Sequence, residues 1–309
     1  MEPLNDHAVK TLATRYAELV EALAIPAGEP LLVLPNAEFF PDRFTGDAAS
    51  VERLAARMQG YAGLENVTIE TAVSGEPAVS EGGCGTGGCG TGACATPKAE
   101  SEEPRLERLE GRYLVRVPAA ELAHPIVLTA RLATALGAIA LLERHPEGAT
   151  LVRDAAEAEL AAVGLGFGVL LLEASYQYKK SCGGPSVACG TALGCQELAV
   201  LFALSAAREE HSLRAALTEL GTTQRALVKD AAALVAESPT LVRLLRDSPT
   251  RVAFGAWKLR DGRPLWSRWF GKSKRPKSEE ERLSAALAAL ERGASVDELA
   301  DLVSPADGE

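Results

Sequence analysis

Charged and apolar residues alternate at helical spacing from Asp6 to Leu23, which predicts an amphipathic helix at the start of the chain. Leu31–Pro35 (LLVLP) is a short apolar run between turn residues and predicts a strand. It leads into AEFFPDRFTGD, where Phe39, Phe40 and Phe44 are three of only seven phenylalanines in the chain. Asp47 or Ser50 is placed to cap a helix running through Met58. Asn66–Val73 and Arg112–Val117 alternate and are rich in β-branched residues, so both read as strands. The insertion between them, Ser74 to Gly111, suggests a hairpin carrying an unusual loop.

From Ala120 onward the pattern is helical almost throughout. The predicted helices are Ile126–Glu143, Leu151–Tyr178, Leu193–Arg208, Leu213–Leu220, Thr222–Glu237, Thr240–Asp247 and Glu279–Arg292. Gly164, Gly166 and Gly168 fall inside an apolar helix with no strand before them, so they are not a phosphate loop and read as close-packing residues. Gly271–Ser278 has the composition of a linker. The expected architecture is α+β, a small early β-sheet followed by a predominantly helical body. Residues 1–270 would form one domain with a Gly/Cys-rich loop inserted at 74–111, and 271–309 a linker and C-terminal helix.

Composition narrows the class. With 309 residues, 47% hydrophobic and 24% charged, the chain can bury a full core, which excludes disorder throughout, collagen and a disulfide-stapled mini-protein. Its longest apolar runs, Leu132–Leu142 and Leu160–Leu172, fall short of the ~18–20 residues of a spanning helix and sit between charges, so they read as core helices. The N-terminal pattern is not a secretory signal, so a cytoplasmic protein without a membrane partner is expected. Arg outnumbers Lys 23 to 9, which suggests a GC-rich bacterial genome.

The net charge is −10, yet Arg251 to Lys277 holds nine basic residues and one acid. That window is +8 and the remainder −18, so nucleic acid is not an expected partner of the chain as a whole. The same window contains Trp257, Trp266 and Trp269. With Arg251 and Arg268 these could dock an acidic protein surface, although packing of the tryptophans on the core is the simpler reading.

All six cysteines fall in two groups. Cys84, Cys89 and Cys94 are spaced with four residues between each pair in GGCGTGGCGTGAC, a tandem CGTG repeat. Seven of the eleven residues from Gly82 to Gly92 are glycine, so ordering this loop costs backbone entropy unless something holds it. Cys182, Cys189 and Cys195 lie in SCGGPSVACGTALGC, which repeats the CGT. Thiolates at Gly-rich turns suit zinc, copper(I) or an iron–sulfur cluster, because backbone N–H groups can approach the sulfurs. Neither a C-x2-C knuckle nor a ferredoxin spacing is present, so a site would draw on both groups or use three Cys plus another ligand. A thiol–disulfide pair is the alternative, with Lys179 and Lys180 able to lower the pKa of Cys182. Free thiols without a role are the third reading. His7, His124, His145 and His211 form no ligand pair, and His124, before Pro125, suits a turn or capping role.

Three segments in order, LLVLPNAEFFPDRFTGD, RVPAAELAHPIVLTARLATALGAIALLE and EAELAAVGLGFGV, resemble a largely uncharacterised group of bacterial proteins similar to zinc metallopeptidases. The likeness spans about Leu31 to Asp247. In that group the long helix carries HELAH, an HExxH motif whose two His bind zinc while the Glu activates water. Aligned on the helix framework, HELAH falls on Thr134-Ala135-Leu136-Gly137-Ala138, so both His and the Glu are lost. Ala120-Glu121-Leu122-Ala123-His124 keeps the Glu and second His but precedes Pro125, outside the long helix. Glu159 keeps an acid near the family's acidic position on the next helix.

The resemblance therefore implies a zincin-like scaffold without catalytic residues, and no peptidase activity. It also implies that the two cysteine groups meet near the vacated cleft. The expected function is non-hydrolytic binding, sensing or scaffolding with a soft metal or iron–sulfur cluster on the cysteines. A thiol–disulfide enzyme or switch, or a partner-binding module built on residues 251–277, are the alternatives.

Overall fold

The first helix, α1 (Asp6–Ala22), starts where the Asn5 side chain accepts the Ala8 N–H at 2.9 Å. Its apolar stripe, Val9, Leu12, Ala13, Tyr16 and Val20, is buried at the expected three-and-four spacing. In the computed structural model, residues 4–28, 30–75, 105–144, 154–181 and 184–260 are described. The predicted linker Gly271–Ser278, the predicted helix Glu279–Arg292 and most of the inserted loop lie outside them.

Helix α2 (Ala48–Tyr61) begins at a reciprocal cap: the Asp47 carboxylate accepts the Ser50 N–H at 2.7 Å, and the Ser50 hydroxyl accepts the Asp47 N–H at 3.1 Å. A three-stranded sheet follows, of β1 (Ile69–Ser74), β2 (Leu106–Leu109) and β3 (Arg112–Pro118), in the order β1-β3-β2. The strands expected to form a hairpin, β1 and β3, are instead parallel, with Ile69 opposite Tyr113 and Ser74 opposite Pro118. The hairpin is β2–β3, closed over Glu110 and Gly111, and Gly111 takes φ +75°, which a side chain would disfavour. A parallel pair needs a crossover, so the long insertion is a connection and not a hairpin loop. Tyr113, Val115 and Val117 alternate into the core.

The helical body comprises α3 (Pro125–Arg144), α4 (Ala155–Ala162), α5 (Gly168–Ser175), α6 (Cys195–Arg208), α7 (Leu213–Glu219), α8 (Thr222–Ala236), α9 (Pro239–Asp247) and α10 (Pro249–Ala253). A small early sheet and a mostly helical remainder make this a mixed α+β fold. Two departures from a purely helical second half stand out. A two-stranded antiparallel hairpin, β4 (Gln177–Ser181) and β5 (Gly184–Ala188), separates α5 from α6. The single helix expected over Leu151–Tyr178 is broken into α4 and α5 by a π-turn at Val163–Phe167, where Gly166 takes φ +96°.

That break has a tertiary cause. Leu31–Pro35 is not a strand but an extended strap, and the Val33 N–H donates to the Gly166 carbonyl at 3.1 Å. A Cβ on Gly166 would lie 1.8 Å from the Leu31 carbonyl oxygen, so only glycine admits the strap. The neighbouring glycines do pack closely: a Cβ on Gly168 would meet the Phe202 ring at 2.8 Å. Gly137 plays the matching part between α3 and α4, where a Cβ would lie 2.2 Å from the Ala158 carbonyl oxygen.

Residues 125–144 and 155–175 are each long and apolar enough to cross a membrane by length and composition, yet their apolar positions are largely covered by other elements. Leu128, Ile139, Leu160, Leu170, Leu171 and Leu172 are all fully buried. They form the centre of the core.

At the far end of α6 lies a buried polar knot. The Arg208 guanidinium pairs with Glu209 and donates to the carbonyls of Leu245 (3.2 Å) and Ile25. Glu209 in turn accepts the Gly28 N–H. This knot ties α6 to α9 and to the loop after α1. A buried pair with its remaining hydrogen bonds filled resists removal of one member more than it adds to stability.

Candidate functional site

Helix α6 begins at Gly194, whose N–H donates to the Glu197 carboxylate at 2.7 Å, and its first helical residue is Cys195. The preceding loop, from Cys189 to Gly194, is held against the α4–α5 rod at two points. The Gly190 N–H donates to the Ala174 carbonyl at 2.9 Å. The Glu159 carboxylate accepts the N–H groups of Ala192 (2.7 Å) and Leu193 (2.8 Å), one on each oxygen. Glu159 is only 1% exposed, and burial pushes its carboxyl above the ordinary range, opposed by these two donors. Thr191 closes the loop internally by donating its hydroxyl to the Leu193 carbonyl at 2.8 Å.

The loop presents two cysteines of different character. Cys189 is exposed, and its thiol donates to the Thr191 carbonyl at 3.3 Å. Cys195 is buried, and desolvation pushes its thiol above the ordinary value while the Ser175 hydroxyl beside it acts the other way. Cys189 and Glu173 lie close enough to raise it further through their charges. Both cysteines are free thiols. Cys84, Cys89, Cys94 and Cys182 lie outside the described residues, as does the predicted meeting of the two groups.

The donor set can be set against a metal. Two thiols at one loop suit a soft ion, but no group of three or more His, Cys, Asp or Glu able to hold one occurs among the described residues. Glu159 is turned to backbone N–H groups, and Glu173 accepts the Gly221 N–H at 2.9 Å. The described loop therefore offers two thiols, and the described residues form no complete metal site.

A catalytic zinc does not fit the long helix. Thr134 turns its hydroxyl back to the Ala130 carbonyl at 3.0 Å, and Gly137 lies buried at the α3–α4 crossing. The near-match at Ala120–His124 lies on a short 3-10 turn, Ala119–Ala123, with Glu121 paired to Arg105 at 2.8 Å. His124 ends that turn, and its carbonyl accepts the Leu128 N–H at 3.0 Å, which is the turn-and-cap role expected for it.

In the basic window, Trp257 packs against the core and donates its indole N–H to the Val252 carbonyl at 3.1 Å. Arg251 is exposed, while Trp266, Arg268 and Trp269 fall outside the described residues. Sequence reasoning singled out the cysteines but missed Glu159 as the residue that fixes them. An acid at the start of the apolar run Leu160–Leu172 was the available signal, since a buried carboxylate requires donors.

Compared with family models, with curated proteins and with solved structures, the chain matches none.

Proposed function

We propose that this chain is a non-hydrolytic, metallopeptidase-like protein that binds a soft metal ion or an iron–sulfur cluster through cysteine thiolates. Cys189 and Cys195 supply two ligands, and the remainder come from Cys84, Cys89, Cys94 and Cys182. Its role is binding, sensing or scaffolding in the cytoplasm. The observation that carries this reading is the fixed loop between Cys189 and Cys195, which Glu159 and Ala174 hold against α4 and α5. A pre-ordered pair of thiols lowers the entropy cost of ligation.

Two features favour this over thiol–disulfide exchange and over a zinc hydrolase. The buried Cys195 thiol, with its pKa raised, is a poor attacking thiolate. The zincin-like scaffold rests on the sequence resemblance, in which Glu159 keeps an acid near the family's acidic position and positions 134 and 138 hold no zinc ligand. The tail as a partner-binding surface is not favoured by Trp257, whose indole is already engaged.

The test is metal and acid-labile sulfide per chain after purification without oxygen. The proteins compared are wild type, Cys189→Ser/Cys195→Ser, and a triple Ser variant at Cys84, Cys89 and Cys94. Stoichiometric metal in wild type and its loss in both variants supports the reading. A metal-free wild type with titratable thiols overturns it.

A further inference from the structure

One cavity shares no lining residue with the cysteine loop. Residues Ser50, Arg53, Leu54 and Arg57 fall at positions i, i+3, i+4 and i+7 of α2 and share one face of that helix. This face forms a wall of a cavity of about 410 Å³. The first two turns of α3 supply Pro125, Ile126 and Thr129, and α5 supplies Leu170. The segment joining the strap to α2 contributes Phe40, Asp42, Arg43 and Phe44.

The chemistry is divided. Phe40, Phe44, Leu54, Ile126 and Leu170 make an apolar interior, and Ile126 is 45% exposed although it is a large aliphatic residue. Three guanidiniums, Arg43, Arg53 and Arg57, border the same space against one carboxylate, Asp42. Asp42 pairs with Arg57, which donates its Nε at 3.0 Å. Arg43 and Arg53 are exposed and make no ion pair with a described residue, although Arg53 lies within electrostatic range of Asp47. Arg43 and Arg53 make this mouth locally cationic on a chain of net charge −10, a local field that attracts an anion.

We propose that this cavity binds a small anionic amphiphile, with a carboxylate or phosphate head between Arg43 and Arg53 and an apolar body against Phe40, Phe44 and Ile126. Planar guanidiniums suit either oxyanion, since both accept paired N–H donors. The Arg57–Asp42 pair also borders the cavity, so Arg57 is already neutralised by a carboxylate. The site is independent of the cysteines and of any metal.

Titration of the full-length protein with decanoate, decyl phosphate and decanol, read by calorimetry, tests the assignment. Saturable one-to-one binding of decanoate or decyl phosphate, each tighter than decanol, is expected. The tighter of the two anions identifies the head group. Arg43→Gln/Arg53→Gln should weaken the anion about tenfold or more, the scale of a lost charge-assisted hydrogen bond. Arg43→Lys/Arg53→Lys should retain most of the affinity. Ile126→Glu, at an exposed position, should abolish binding with an unchanged melting temperature. Failure of both anions to bind, equal binding of decanol, or an Arg43→Gln/Arg53→Gln variant that binds like wild type would each overturn the proposal.

Discussion

Glu159 on α4 and Leu193 in the loop before α6 are joined by a hydrogen bond of 2.8 Å between a buried carboxylate oxygen and a backbone N–H. Its partner oxygen takes the adjacent Ala192 N–H at 2.7 Å, so one side chain orders the whole approach to Cys195. Replacing it with alanine strips two N–H groups of their acceptor and opens space in the core. Glu159→Ala is expected to cost about 2–4 kcal/mol in chemical denaturation. It should also reduce bound metal although no cysteine is changed. A variant as stable as wild type would show that the loop holds itself.

Three glycines separate backbone crowding from backbone conformation. Gly166→Ala places a Cβ within 1.8 Å of the Leu31 carbonyl oxygen at φ +96°, and Gly137→Ala places one 2.2 Å from the Ala158 carbonyl oxygen. Each should destabilise by about 3 kcal/mol or more, because backbone cannot step aside as a flexible side chain can. Gly111→Ala meets nothing within 4 Å and bears only the strain of φ +75°, so about 1 kcal/mol is expected. Equal losses at all three, measured by urea denaturation, would contradict the packing argument.

These glycines also mark where the sequence stops being informative. Periodicity located α1, α3, α6, α8 and α9 to within a residue or two, and Asp47 with Ser50 announced the start of α2, because those signals are local. The break at Gly166 depends on a strap more than a hundred residues earlier, which no local pattern encodes. LERL is short and half charged, so β2 went unseen, and without it β1 and β3 read as a hairpin. The strands QYKKS and GPSVA lack an apolar alternation altogether. At the site the thiols were legible as two groups along the chain, and Glu159 as an acid beside an apolar run, but its bonds to Ala192 and Leu193 join segments more than thirty residues apart, which no local pattern encodes.

Tyr16 is fully buried in α1, and its hydroxyl, beside Ser205 and Arg208, has no well-formed hydrogen bond among the described residues. Burial raises its pKa from 10 to about 12. The folded state therefore resists ionisation that the unfolded chain undergoes from pH 10 upward. Its contribution to stability is complete below pH 10 and is lost as pH rises through about 12, by up to about 2–3 kcal/mol. Tyr16→Phe removes both the orphaned hydroxyl and this titration. It is expected to be neutral or stabilising by about 1 kcal/mol at pH 7, and to show a shallower alkaline loss than wild type. A variant with the same slope between pH 10 and 12 would place the alkaline sensitivity elsewhere.

The metal binding proposed at Cys189 and Cys195 would carry its own pH signature. Burial holds the Cys195 thiol protonated above the ordinary range, so an incoming ion must displace that proton. Below the thiol pKa values each thiol that must lose its proton weakens binding about tenfold per pH unit of fall, so Cys189 and Cys195 contribute two to a slope set by all the thiolates bound. Affinity should therefore rise with pH, with no plateau until above the ordinary thiol pKa. Ser175→Ala removes the hydroxyl that opposes the upward shift of Cys195, and should move the whole curve to higher pH without changing its slope. Cys195→Ser should reduce the slope by about one proton, because one competing thiol is gone. Competition for zinc against a coloured chelator between pH 6 and 9 measures all three proteins. A pH-independent affinity in wild type would exclude these thiols as ligands.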